Sequence, residues 1–322
     1  MITNSILDLI TVPWVTCVLF AAVRHRTFTI LSNQTMTAKE IASKCGAIPH
    51  LLTPLLNACV SLGLLQSNNN VYSNTHFSAE YLVDGEPHYV GDLIELQHLE
   101  FSQWEQLADI IAHRQKSDQA KPPEAMNYST FIKAMNNLGM LGEAEALKNQ
   151  VDLSGCKEMV DAGGGSGLYS VMLCQKFQGL RSTILDVKET LAITEKMIST
   201  YPEKNRINLR EADITKDPFG NNIDAVLLSD VIYDELTAMP VLRNAWNCLH
   251  PDGILIIRGY YSDPEMTKPL FGALFVLNQI VFDPERTIMT ISTLQENVTK
   301  TGFTLIKTSP LTDRSFIIIA KK

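Results

Sequence analysis

Four glycines and an acid are packed into residues 161–167, Asp161-Ala162-Gly163-Gly164-Gly165-Ser166-Gly167. Residues 159–162 form an apolar strand pattern and residues 168–177 carry helical apolar spacing, so the glycines occupy a strand-to-helix turn. Glycine accepts a positive φ and lets the main chain approach a ligand without a Cβ in between. Such a turn is a nucleotide pocket. The dinucleotide pattern G-x-G-x-x-G would need a glycine at 168, where Leu168 stands, and no G-x-x-x-x-G-K-[ST] occurs. A pyrophosphate clamp and the usual NTP cradle are both disfavoured.

Acids recur at matching places downstream. Residues 181–187 read as a second strand ending in Asp186, which lies 186 − 161 = 25 positions beyond Asp161, near the ~20 of a ribose-binding carboxylate. Its two acceptor oxygens can take both ribose hydroxyls. Residues 207–213 and 223–230 read as a third and fourth strand, ending in Asp213 and Asp230. Ligands of a doubly wound sheet sit outside the carboxyl ends of its strands, so Asp161, Asp186, Asp213 and Asp230 are expected around one crevice. A helix N-cap explains any single one equally well, but not four in register.

The elements that must position these residues fit two domains in 322 residues, with 45% hydrophobic content supplying the cores. A net charge of −8 opposes a nucleic-acid partner. Six cysteines without a C-x-x-C indicate reduced thiols in a cytoplasmic protein, with neither a metal site nor a disulfide frame. The apolar run 12–23 is interrupted by Pro13 and shorter than the ~20 residues of a membrane span, so burial in a helical interface is expected, without a membrane partner. Residues 37–45, 50–65 and 71–72 outline a winged helix. Its second helix is apolar on nearly every face and has no Lys or Arg, which favours burial in a dimer over DNA docking. Residues 86–116 continue as helix, 117–123 form a polar connector, and 128–141 and 143–151 read as helices. After the fourth strand come a helix at 236–250, a turn at 251–253, a fifth strand at 254–260, further helices, and closing strands near 304–308 and 316–320.

The glycine turn resembles the first motif of class I S-adenosylmethionine (SAM) methyltransferases. From end to end the chain resembles the plant-type O-methyltransferase family that includes acetylserotonin and caffeate methyltransferases. FAAVRHRTFTIL, TAKEIASKCG and VSLGLL resemble its dimerisation domain, FIKAM the segment before the cofactor domain, and NCLHPDGILII its fifth strand. The resemblance implies an α/β fold: a doubly wound, Rossmann-like class I methyltransferase domain at 151–322, preceded by an α-helical winged-helix dimerisation domain at 1–115. A helical connector at 116–150 would contribute to the acceptor pocket. It implies a cytoplasmic homodimer that uses SAM and no metal. Asp161, Gly163 and Gly165 would line SAM, Asp186 hold its ribose, Asp213 and Ile214 contact the adenine, and Ser229 close the pocket. Met135 and His113 would face the acceptor.

The catalytic positions depart from that family. Its fourth strand runs into Leu-His-Asp-Trp, whose histidine takes the acceptor proton, whereas this chain has Val231-Ile232-Tyr233-Asp234-Glu235. The fifth strand commonly ends in an acid, and Arg258 stands there instead; Glu285 matches a family catalytic acid. A tyrosine of pKa near 10 costs about 4 kcal/mol to ionise at pH 7, so Tyr233 would be a weak base. Three explanations stay open. The acceptor could be nucleophilic enough to need no strong base, as a thiol, thioether or electron-rich carbon is; Arg258 could lower Tyr233; or methyl transfer could be lost. Tyr233 as a ring packing over the sulfonium is the plain structural reading. Arg258 either pairs with Asp230 on the adjacent strand or grips an acceptor carboxylate with its fork. His98 and His113 are further candidate bases. The implied function is SAM-dependent methyl transfer to a small-molecule O, C or S nucleophile. The alternatives are a SAM-binding decarboxylase, hydroxylase or pericyclase, and a winged-helix regulator.

Overall fold

A computed structural model of the protein describes residues 5–112 and 128–322. His113 and the polar connector at 117–123 lie outside the described residues. The chain forms two compact units, Met1–Phe101 and Ser102–Lys322.

In the first unit α1 (Ile6–Arg24), α2 (Thr27–Ile30), α3 (Ala38–Cys45) and α4 (Pro49–Ser61) precede the hairpin of β2 (Leu65–Asn68) and β3 (Val71–Asn74), with α5 (His76–Tyr81) and the start of α6 (Gly91–Trp104) after it. The short β1 (Met36–Thr37) joins the hairpin in the order β1-β3-β2. Local chemistry fixes the turn: Thr37 and Glu40 form a reciprocal capping box at the start of α3, and Gly46 ends it in the left-handed region. Phe28, Leu31, Ile41, Leu52, Leu56 and Tyr72 close the core. Two expectations need correction. α1 starts at Ile6, well before the run read from the sequence, and continues through Pro13, so its 19 residues are long and apolar enough to cross a membrane by length and composition. α4 is not buried all round, because Leu52, Leu56 and Cys59 point inward while Ile48, at its N-cap, and Leu51 stay exposed. Both helices keep an uncovered apolar face.

The second unit contains α7 (Leu107–Ile111), α8 (Tyr128–Leu138) and α9 (Ala144–Gln150), then alternates β4 (Glu158–Ala162), α10 (Leu168–Lys176), β5 (Arg181–Asp186), α11 (Lys188–Ile198), β6 (Ile207–Glu211) and β7 (Ile223–Ser229). α12 (Glu235–Cys248), β8 (Leu249–Gly259), α13 (Leu270–Phe282), α14 (Ile291–Thr301), β9 (Thr304–Pro310) and β10 (Phe316–Lys321) complete it. The seven strands lie in the order β6-β5-β4-β7-β8-β10-β9. The first five are mutually parallel, and β10 runs antiparallel to both β8 and β9. Alternate side chains of the central strands feed two apolar layers: Val226, Leu228, Leu255 and Ile257 on one face, Ala225, Leu227, Ile256 and Ile317 on the other. Helices on both faces explain why these strands are continuously hydrophobic. The helical run read as 128–141 breaks earlier, in a five-residue π-type turn at Gly139–Glu143 where Gly142 has φ +107°. That kink turns Glu143 inward.

Candidate active site

The strand order reverses at β4 and β7, and a cavity of 340 Å³ opens there at their carboxyl ends. α8 walls it with Phe131, Ile132 and Met135, and the glycine turn forms its floor. Each glycine has a physical reason. Gly163 has φ +72°, and a Cβ on it would stand 2.4 Å from Val231 Cγ1. A Cβ on Gly164 would stand 2.8 Å from Asp161 Cγ, so that glycine makes room for the acid of its own strand.

Asp161 is 1% exposed; Ser170 Oγ donates to its Oδ2 at 2.7 Å, and its Oδ1 has no hydrogen-bond partner. Burial pushes its carboxyl up to about 6, with Ser170 opposing and Asp186 adding to the rise. Asp186 ends β5 and accepts from the amides of Gly165 at 3.0 Å and Val187 at 2.8 Å, which staples the glycine turn to the neighbouring strand. Burial raises this carboxyl too, against those two amides.

Across the cavity a charged cluster is assembled from distant parts of the sequence. Arg258, 1% exposed on β8, donates from Nε at 3.2 Å and from Nη2 at 2.7 Å to Glu143 Oε2, while its Nη1 pairs with Asp230 Oδ2. The parallel register of β7 and β8 sets Ser229 opposite Arg258, which brings Asp230 within reach. Thr312 and Ser315 hydroxyls donate to Glu143 at 2.7 and 2.5 Å, and the guanidinium lies 4.2 Å from the centroid of the Tyr260 ring. Burial pushes the Glu143 carboxyl up, but Arg258 and the two hydroxyls outweigh it and hold it below the usual value. Arg258 thus makes the expected pair with Asp230 and a second with Glu143, so three of its five N–H groups are directed at internal acids.

Tyr233 belongs to this cluster and is not among the cavity-lining residues. Its hydroxyl donates to Asp230 Oδ1 and accepts from the Tyr260 amide at 3.2 Å, and its ring packs against Tyr261 and Phe275. Burial, then the neighbouring Tyr261, push its phenol well above the ordinary value. The Tyr233 phenol is thus raised, not lowered, in this setting, and its ring stands between Tyr261 and Phe275.

Of the residues singled out in the sequence, Asp161, Gly163, Gly165, Asp186, Ile214, Ser229, Met135 and Arg258 line one cavity. Asp213 does not. Its carboxylate turns back to accept from the amide and hydroxyl of Thr215 and from Lys216, which hold it down at about 2 and make it a local cap. Glu285 is exposed on the loop after α13 and is not brought to the cavity. His98 bonds to Arg24 within the first unit. Glu143 and Tyr169 were missed. The one available signal was Arg258 itself, a cation in an apolar strand, for which strand adjacency points to Asp230 but nothing in the sequence points to Glu143 as a second partner.

A seven-stranded sheet of this order, with a glycine turn and successive acids at its switch point, defines a class I methyltransferase domain. The O-methyltransferase domain model matches residues 104–304, and the O-methyltransferase dimerisation domain model matches residues 7–84. The chain belongs to the plant-type O-methyltransferase family. It is 28% identical to 3-hydroxy-5-methyl-1-naphthoate 3-O-methyltransferase of Streptomyces sahachiroi, over 85% of this chain and 82% of that protein. It is 30% identical to L-tyrosine C(3)-methyltransferase of Streptomyces lavendulae, over 54% of this chain and 48% of that protein. Human N-acetylserotonin methyltransferase in complex with SAM has the same fold, with a TM-score of 0.87 at 22% identity, covering 98% of this chain and 96% of that one. The protein is a SAM-dependent methyltransferase acting on a small-molecule acceptor.

Proposed function

We propose that the protein is a cytoplasmic homodimer that binds SAM in the β4–β7 cavity and methylates a small acceptor held against α8. The first unit would be a winged helix, its exposed apolar faces on α1 and α4 buried in the dimer, with neither nucleic acid nor membrane as partner. Within the cavity Asp186 takes the ribose hydroxyls, Ile214 packs on the adenine, Ser229 and the Gly163 and Gly165 backbone border the amino-acid part, and Met135 faces the acceptor. The buried, unpartnered Asp161 Oδ1 carries this reading, because an orphaned acceptor at 1% exposure is costly without a ligand and suits a cationic one. SAM supplies an electrophilic methyl on a positively charged sulfur. The protein's part is to exclude water and hold the acceptor in line with that methyl. Titrating S-adenosylhomocysteine into the protein by calorimetry should show binding that Asp186→Ala weakens at least about tenfold, as loss of a charge-assisted bond requires. Binding unaffected by that change would overturn the site, and a monomer in light scattering would overturn the dimer.

A further inference from the structure

Asp230, with no catalytic role so far, is the acid that the charged cluster presents to the cavity. It has φ +59°, a left-handed conformation that non-glycine residues seldom keep, and one that costs about 1–3 kcal/mol unless its surroundings impose it. They do: its amide donates to the Arg258 carbonyl at 2.9 Å, Arg258 Nη1 fixes one carboxylate oxygen, and the Tyr233 hydroxyl fixes the other. Its side chain stays 26% exposed and lines the cavity, so lone pairs remain for a donor from the acceptor. Two carboxylates on one guanidinium leave the cluster a formal charge of −1.

The geometry points to Asp230 as the group that takes the acceptor's proton, and hence to an acceptor that presents a phenolic or other hydroxyl, with no carboxylate at its reacting end. This rests on the pocket proposed above. An oxygen lone pair of the acceptor forms the O–CH3 bond while the methyl–sulfur bond breaks and its electron pair stays on sulfur. The hydroxyl proton passes to Asp230, giving a methyl ether, a neutral thioether and a carboxylic acid that later releases its proton to water. The oxygen becomes cationic as its new bond forms, so its proton grows acidic enough for a carboxylate to take. Arg258, Glu143 and Tyr233 are positioning residues that aim this carboxylate.

The test offers paired arenes, each as a naphthol and as the matching naphthoate, and reads S-adenosylhomocysteine release at saturating SAM. The groups that face Asp230 are Arg258 from β8 and Tyr233 from its own loop, with Glu143 and Tyr169 behind Arg258 and Asp161 and Asp186 elsewhere on the cavity wall. Turnover is expected with naphthols alone. Asp230→Asn should fold, because asparagine is enriched in the left-handed region. It should lower kcat by about 10²-fold at saturating SAM while leaving S-adenosylhomocysteine affinity within about threefold. Turnover of a naphthoate, no turnover of any naphthol, or Asp230→Asn retaining its kcat or losing cofactor affinity in proportion overturns the assignment. Wild-type protein that does not bind S-adenosylhomocysteine instead sinks the cavity reading beneath it.

Discussion

Glu143 and Asp161 are both buried carboxylates, 4% and 1% exposed, near one cavity, yet they sit on opposite sides of the stability balance. Glu143 meets a guanidinium and two hydroxyls and is held below its ordinary pKa. Asp161 meets one serine and no cation, and is pushed up to about 6. The first acid builds the wall. The second is a buried charge without a cation beside it, and it costs the fold stability where it ionises.

The sharpest way to break this contrast is Glu143→Ala. Removing one partner of a buried ion cluster strands the others, so unfolding by denaturant should show a loss of about 3–5 kcal/mol. A loss under 1 kcal/mol would mean the cluster is not what holds the wall. Asp161→Asn should act with the reverse sign. A folded pKa raised from 3.8 to about 6 means stability is fully present below pH 4 and is lost as pH rises to about 6. The substitution removes that loss, a gain of up to about 3 kcal/mol at pH 7, while S-adenosylhomocysteine affinity falls. A destabilised Asn variant at pH 7 would show that Asp161 serves the fold after all. Gly164→Ala comes next in size: its Cβ would meet Asp161 Cγ at 2.8 Å, an overpacking cost of about 2 kcal/mol with weaker cofactor binding. Unchanged stability would mean that the Asp161 side chain can step aside.

The same contrast marks what could be read from the sequence. Asp161, its glycines and Asp186 lie within 26 consecutive residues, 161–186. Their roles follow from strand periodicity and turn chemistry, which are local. Asp213 shows the limit of that reasoning: an acid two residues past a strand serves a turn as readily as a cavity, and Lys216 three positions later decided for the turn. The Arg258 cluster joins residues 115 positions apart through a helix kink at Gly142, and no periodicity in either segment announces the meeting. α1 exceeds the run expected at 12–23 because Pro13 fits within the helix and Ser5 caps it seven residues ahead of Val12.

The smallest expected effect on the fold, and the one that separates a positioning tyrosine from a base, belongs to Tyr233→Phe. It removes a donor to Asp230 and an acceptor for the Tyr260 amide while keeping the ring against Tyr261 and Phe275. Stability should fall by about 1 kcal/mol, the net worth of a hydrogen bond. With its phenol pushed well above 10, Tyr233 stays protonated through neutral pH and cannot take a proton from the acceptor unaided. Its loss should therefore lower kcat by only about tenfold, through a looser Asp230, against the about 10²-fold of Asp230→Asn. If Tyr233→Phe instead abolished turnover and Asp230→Asn did not, the tyrosine would be the base and the charged cluster only its scaffold.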